Sequence, residues 1–117
     1  MRIPILLLTM ALLPVAAAAH AMLEGATPSV GSTVPPTDTI RLHYSQGVEP
    51  LFCKVTVSPA DGEPLHGAAP DVDPADNMIL VLHLDKPLVA GKYRVEWHVV
   101  SVDTHQTEGS FSFTVAP

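Results

Sequence analysis

Residues 93–99 read YRVEWHV, and apolar side chains alternate with polar or charged ones along the whole stretch. Residues 110–115, SFSFTV, alternate in the same way. A period of two, carried by β-branched and aromatic residues, is typical of a strand that buries one face. The two stretches therefore predict two β-strands, each with one face packed against a hydrophobic core.

Shorter segments of the same kind occur earlier in the chain. Residues 40–44 and 55–58 alternate, and residues 78–84 form a longer apolar run interrupted by His83. Turn signals rich in Pro, Gly and Asp separate these segments, and the Pro- and Asp-rich stretch 68–77 is interpreted as a mobile loop. No segment has a helical period, and the twelve prolines argue against helices. The pattern predicts an all-β, Greek-key immunoglobulin-like sandwich of about seven strands.

The alternation also predicts which side chains fill the core. Trp97 is assigned to the core, with a wall beside a binding site as its alternative role. The predicted strand over residues 40–44 contributes either Leu42 and Tyr44 or, if its other face is buried, the residues that alternate with them. The predicted core is Leu42, Tyr44, Val55, Val57, Tyr93, Val95, Trp97, Val99, Phe111, Phe113 and Val115.

The first 19 residues, MRIPILLLTMALLPVAAAA, have the features of an export signal. Arg2 precedes an apolar run of about 11 residues, too short to span a membrane, and Ala17 to Ala19 fit a small-x-small cleavage site. We therefore expect residues 1–19 to be removed on export to a bacterial periplasm, leaving one domain, 20–117. A retained anchor is one alternative; cleavage after Ala21, which would discard His20, is another.

The charge of the chain limits its partners. The net charge is −6, and it becomes −7 once Arg2 leaves with the signal. An acidic surface argues against nucleic acid and anionic lipid as partners and is compatible with a cation.

Cys53 is the only cysteine, which excludes an intrachain disulfide. It lies in the apolar run 51–55 and is interpreted as a buried strand residue, with a metal or redox role as the alternative.

His20 would be the first residue of the processed chain and would offer a metal two nitrogens, its α-amine and its imidazole. Asp103 and His105 follow a predicted strand; if extended, their side chains would point to one side. An Asp–His hydrogen bond in a turn is the alternative. Together these residues supply three nitrogens and one oxygen, a set that suits Cu(II), whereas Zn(II) prefers a tetrahedron.

The chain resembles the CopC family of periplasmic bacterial copper-resistance proteins. The resemblance rests on His20, on residues 42–45 (LHYS), on 88–97 (LVAGKYRVEW) and on 99–105 (VVSVDTH), which lead to 109–113 (GSFSF). It implies a β-sandwich that binds one Cu(II) through His20, Asp103 and His105. It also implies an inner-membrane partner similar to CopD, here expected to be a separate protein because no membrane segment precedes Pro117. We expect a monomer.

Two departures from the family pattern affect the expected site. Some members carry a Cu(I) site in a Met-rich loop, but residues 58–76 contain no methionine, so we expect no such site here. Gln46 stands where the family often has Glu, which affects how a ligand histidine is oriented. His43, His83 and His98 are interpreted as surface or hydrogen-bonded residues.

Three functions compete. The first is a copper-binding protein of copper resistance, homeostasis or transport. The second is a copper oxidase with a histidine brace, similar to lytic polysaccharide monooxygenases. It is disfavoured because the chain is short and Asp103 would fill the position that oxygen needs, so we expect no enzymatic activity. The third is a structural envelope domain in which His20 has no role.

Overall fold

The structure, a computed structural model, describes residues 3–4 and 21–117. His20 and most of the predicted export signal lie outside these residues. Within this part no helix is long and apolar enough to cross a membrane. The elements are strands β1 (Leu23–Thr27), β2 (Thr33–Val34) and β3 (Thr39–Tyr44), a 3₁₀ helix (Pro50–Phe52), and strands β4 (Lys54–Pro59), β5 (Asp71–Asp73), β6 (Asp76–His83), β7 (Gly91–Val100) and β8 (Gln106–Val115).

The strands form two four-stranded sheets. The first has the order β1-β3-β6-β5 and the second the order β2-β8-β7-β4. The pairs are antiparallel except β2 with β8, which run parallel. The chain passes from the first sheet to the second three times, between β1 and β2, between β3 and β4, and between β6 and β7. The predicted all-β sandwich is confirmed, with eight strands in the described part rather than about seven.

The core lies between the inner faces of the two sheets. Strands β7 and β8 pair over their full lengths, so that Tyr93 lies opposite Phe113 and Val95 opposite Phe111. The rings of Tyr93 and Phe113 stack, with centroids 5.8 Å apart. Every predicted core residue other than Trp97 is buried. Full burial of one such apolar side chain contributes about 1.5–3 kcal/mol, which explains why the period-two stretches determine this fold.

Trp97 packs against the core but is only half-buried. Its ring meets the Tyr44 ring edge-on, with centroids 5.4 Å apart. Gly109 faces the indole across the β7–β8 pair, and a β-carbon at this glycine would lie 2.5 Å from the Trp97 ring. Glycine is therefore the residue that leaves room for the indole at this position. Trp97 is therefore part of the core packing, as predicted, but it is not fully buried.

The prediction of a loop over residues 68–77 is wrong from residue 71 onward. Residues 71–77 form β5, a two-residue turn and the start of β6, and residues 68–70 lie outside the strands. Asp73 stabilises the turn, because one of its oxygens accepts a hydrogen bond from the Ala75 amide at 2.8 Å and the other pairs with Arg41 at 2.9 Å. The Arg41 contact also holds the pKa of the Asp73 carboxyl below its usual range. Proline and aspartate marked the hairpin turn, not a loop ten residues long.

Cys53 does not lie in a strand. It follows the 3₁₀ helix, whose Leu51 and Phe52 are exposed, and directly precedes β4. The thiol is half-buried and donates to the Glu49 carbonyl at 3.1 Å. Burial raises the pKa of this thiol, which lowers the fraction of reactive thiolate.

Candidate metal centre

Asp103 and His105 lie in the turn that joins β7 to β8. The Ser101 amide donates to the His105 carbonyl at 2.9 Å, and the Thr104 amide donates to the Ser101 carbonyl at 2.8 Å. Thr104 has a φ of 71°, the left-handed region that β-branched residues rarely adopt. The extended arrangement expected for residues 103–105 is therefore wrong, because the backbone forms the turn that the alternative, an Asp–His hydrogen bond in a turn, requires.

The turn brings the two predicted ligands into contact. Nδ1 of His105 lies 3.2 Å from Oδ2 of Asp103. The side chains are 48% and 37% exposed, so both are accessible from solvent. The same turn is tied to the connection between β3 and β4, because the Val102 amide donates to the Gly47 carbonyl at 3.0 Å. An imidazole and a carboxylate are thus presented together at one end of the sandwich.

Ser101 holds the Asp103 carboxylate in place from the buried side of the turn. Its side chain is fully buried, and its hydroxyl donates to Oδ1 of Asp103. The same hydroxyl lies 3.2 Å from the His105 carbonyl, but it has one proton and can serve one acceptor at a time. The Ser101 hydrogen bond, followed by the contact with His105, lowers the pKa of Asp103, against partial desolvation. The Asp103 carboxyl therefore remains ionised further into the acid range than an ordinary aspartate.

The segment that follows His20 is anchored beside this turn. Ala21 is fully buried, and its carbonyl accepts a hydrogen bond from the Thr107 hydroxyl at 2.9 Å. The Met22 amide donates to the Ser45 hydroxyl at 2.8 Å, and the Ser45 amide donates to the Met22 carbonyl at 2.8 Å. Thr107 is two residues beyond His105 in the chain. The start of the described domain and the Asp103–His105 turn are therefore at the same end of the sandwich.

Comparison with known proteins identifies the family. The CopC domain model matches residues 23–116. The chain belongs to the CopC family. It is 36% identical over 105 residues to copper resistance protein C of Escherichia coli, covering 85% of this chain and 83% of that protein.

Two solved CopC-family structures have the same fold. PcoC, described as a methionine-rich copper resistance protein from Escherichia coli, superposes with a TM-score of 0.76 at 30% identity, covering 83% of this chain and 99% of PcoC. CopC from Methylosinus trichosporium OB3b superposes with a TM-score of 0.77 at 28% identity, covering 84% and 95%. The family assignment made from the sequence motifs is confirmed.

The described residues include part of the predicted ligand set. Of the three predicted ligands, Asp103 and His105 are in contact, and His20 lies outside the described residues. Within residues 3–4 and 21–117, no group of three or more His, Cys, Asp or Glu side chains is placed to hold a metal ion.

The other strand histidines have the roles expected of them. His98 lies 3.1 Å from Oε1 of Gln106 through its Nε2 atom, and His83 lies 3.4 Å from the Thr39 hydroxyl. His43 is exposed on β3.

Sequence reasoning missed two residues that shape this end of the CopC fold, Ser101 and Thr107. A serine within the otherwise apolar stretch 99–102 is a weak sign of a buried hydroxyl. Nothing local marks Thr107, because its partner Ala21 is 86 positions away. Ser45 was quoted only as part of a family motif, and the structure supplies its physical role as the partner of Met22.

Proposed function

We propose that this protein is an exported copper-binding protein that holds one Cu(II) ion through His20, Asp103 and His105. It acts in copper resistance, homeostasis or transport and catalyses no reaction. The observation that carries the proposal is the contact between Asp103 and His105 beside the anchored segment that follows His20. The relatives named copper resistance proteins support the same role.

The donor set fits the ion. His20 supplies an amine and an imidazole nitrogen, which chelate as one residue; His105 supplies a third nitrogen and Asp103 an anionic oxygen. Mixed nitrogen and oxygen donors in a tetragonal arrangement suit Cu(II). The carboxylate also offsets part of the charge of the ion. Because Asp103 completes the set, it would close the position that oxygen-activating copper keeps open, which favours holding the ion over oxidase chemistry.

Chain geometry supports the participation of His20. A trans peptide bond keeps the α-carbon of residue 20 about 3.8 Å from that of Ala21. The Ala21 carbonyl is bonded to Thr107, and two residues of extended chain, about 7 Å, separate Thr107 from His105. A histidine side chain and its amine are long enough to bridge a gap of this order.

Cleavage after Ala19 and export to the periplasm are part of the proposal, because only cleavage there frees the α-amine of His20. The protein works as a monomer that exchanges copper with a separate inner-membrane protein similar to CopD. The absence of methionine from residues 58–76 supports the further proposal that no Met-rich Cu(I) site accompanies the Cu(II) site.

The first experiment is an intact-mass measurement. The full precursor is expressed in a bacterium, the exported protein is purified, and its mass is taken before and after one equivalent of Cu(II). We expect a chain that starts at His20 and holds one copper ion. A chain that starts at Met22, or an uncleaved chain that binds copper equally well, would show that the N-terminal chelate is not the site.

A pH titration of binding tests the same chelate. The α-amine must lose its proton to bind, from a reference pKa near 8, and the imidazoles must be neutral. Copper affinity should therefore fall steeply below about pH 6. An affinity that stays flat between about pH 5 and 8 would exclude the amine as a ligand.

A further inference from the structure

We propose that Thr107 is a positioning residue of the copper site, whose hydroxyl holds the segment after His20 against β8. The inference rests on the proposed function, because it concerns how that site is assembled. Thr107 itself is not assigned as a ligand. It acts through Ala21, whose carbonyl its hydroxyl bonds at 2.9 Å.

The contacts of the segment show why this hydroxyl matters. Strand β1 pairs with β3 from Leu23 onward, and both hydrogen bonds of Met22 go to Ser45, at the end of β3. These interactions attach the segment to the first sheet. Asp103 and His105, in contrast, lie on the turn of the second sheet. The Thr107 hydroxyl is the hydrogen bond that joins residues 21–22 to that second sheet.

The position of Thr107 in β8 supports this role. Along β8 the inward-facing residues are Phe111, Phe113 and Val115, and the same alternation turns Thr107 inward. Its β7 partner Val99 is fully buried. A polar side chain on this face loses water and needs a partner, and the Ala21 carbonyl supplies one. The hydroxyl therefore serves a specific contact at the rim of the core.

The consequence for binding is preorganisation. Because residue 21 is already fixed relative to the Asp103–His105 turn, binding of the ion does not have to order its backbone. When the hydroxyl is removed, the ion must also order the backbone around residue 21, and that entropy is taken from the binding free energy. The expected loss is about tenfold in Cu(II) affinity, which corresponds to about 1.4 kcal/mol.

The test uses the processed protein and three variants. Thr107→Val keeps the shape and deletes the hydroxyl, and Thr107→Ser restores it. Thr114→Val makes the same chemical change at the other end of β8. Cu(II) affinity is measured by competition with a chromophoric chelator, and the electron paramagnetic resonance spectrum of the bound ion is recorded. We expect weaker binding and an altered spectrum for Thr107→Val only, with recovery in Thr107→Ser.

A second chain form separates positioning from a general effect on the fold. One residue added before His20 blocks the amine chelate. If Thr107 acts through the segment after His20, Thr107→Val should weaken binding in the processed form and have little further effect in the extended form. An equal loss in both forms, or no loss in the processed form, would overturn the inference.

The same comparison of processed and extended forms separates failure of the proposed copper site from failure of the positioning role of Thr107. If the processed and extended forms bind Cu(II) equally tightly, the N-terminal chelate fails, and with it both the proposed site and the role of Thr107. If extension abolishes tight binding but Thr107→Val leaves the processed form unchanged, the site stands and the positioning role alone is wrong.

Discussion

The two ends of β7 are held by different kinds of interaction. At its start, Tyr93 stacks on Phe113, donates its hydroxyl to the Val89 carbonyl at 2.7 Å, and borders a mainly apolar cleft of about 380 Å³ that Leu84 and Leu88 also line. Beyond its other end, a turn is held by hydrogen bonds around Ser101 and presents exposed polar side chains. Packing maintains the first end, and directional polar contacts shape the second.

This difference predicts that stability and copper binding can be altered separately. Substitutions in the packed end should reduce the free energy of unfolding and leave the affinity of the folded protein unchanged. Loss of a predicted ligand in the turn should weaken copper binding and leave the free energy of unfolding nearly unchanged. Four changes follow, from the largest expected effect to the smallest: the first two test this separation, and the last two test the hydrogen bond and the backbone strain that shape the turn.

Phe113→Ala should have the largest effect. The side chain is 1% exposed and stacks on Tyr93, so its removal leaves a cavity that costs about 3–5 kcal/mol of unfolding free energy. Urea denaturation measures the loss. Val89→Ala, at an exposed position of the same end, should stay within about 0.5 kcal/mol of the parent. Copper affinity that falls together with stability in Phe113→Ala would contradict the separation.

His105→Ala should remove a copper ligand. Changes to residues that only orient a ligand typically cost 10–100-fold in metal affinity, so loss of the ligand itself should exceed about 100-fold. The side chain is half-exposed, and the urea midpoint should change little. The matched control is His43→Ala, on exposed β3 surface, with unchanged affinity. Tight binding retained in His105→Ala would exclude this residue from the site.

Ser101→Ala should raise the pKa of Asp103 toward its ordinary value, because the Ser101 hydrogen bond is the main cause of its depression. A depressed carboxyl pKa stabilises the folded state above the unfolded pKa, about 3.9, and this contribution disappears as the pH falls through the folded pKa. The apo variant should therefore melt below the parent at pH 6, and the gap should narrow toward pH 3.

The pH dependence of the difference in melting temperature between Ser101→Ala and the parent identifies the cause of that difference. Ser112→Ala, in β8, serves as the control and should show no such dependence on pH. A gap between Ser101→Ala and the parent that stays constant from pH 6 to pH 3 would mean that packing of the buried serine, and not its bond to Asp103, accounts for the loss.

Thr104→Gly should have the smallest effect. The left-handed φ of 71° is strained for threonine and unstrained for glycine, but glycine costs more backbone entropy on folding. The two terms oppose each other, and we expect a gain of less than about 1 kcal/mol in unfolding free energy. Thr114→Gly, in an extended strand, should lose stability instead. Equal losses in both variants would show that the turn stores no strain.

The sequence predicted the parts of the fold that depend on local pattern. The alternation in residues 93–99 and 110–115 identified β7, β8 and nearly all of their buried side chains. It missed β5, because a strand of three residues exists only through its pairing with β6 and through the Asp73–Arg41 contact. Tertiary partners of this kind leave no periodic signal.

The sequence singled out Asp103 and His105, which the structure brings into contact, but it did not predict their geometry. Histidine and aspartate in residues 103–105 indicated a metal site, but the expected extended backbone is replaced by a turn through Thr104. The support from Ser101 requires knowledge of that turn. The support from Thr107 requires a contact between opposite ends of the chain, which one sequence read locally does not contain.

The packing of Trp97 gives the protein an intrinsic optical probe. It is the only tryptophan in the chain, so all indole emission comes from one ring, half-buried against Tyr44 and seated over Gly109 in β8. Unfolding exposes this ring to water and should shift its emission to longer wavelengths. Cu(II) quenches nearby fluorophores, so under the proposed function the same signal should fall when the ion binds at the turn that β7 and β8 share. Folding and the proposed metal binding can therefore be followed in one cuvette without a label.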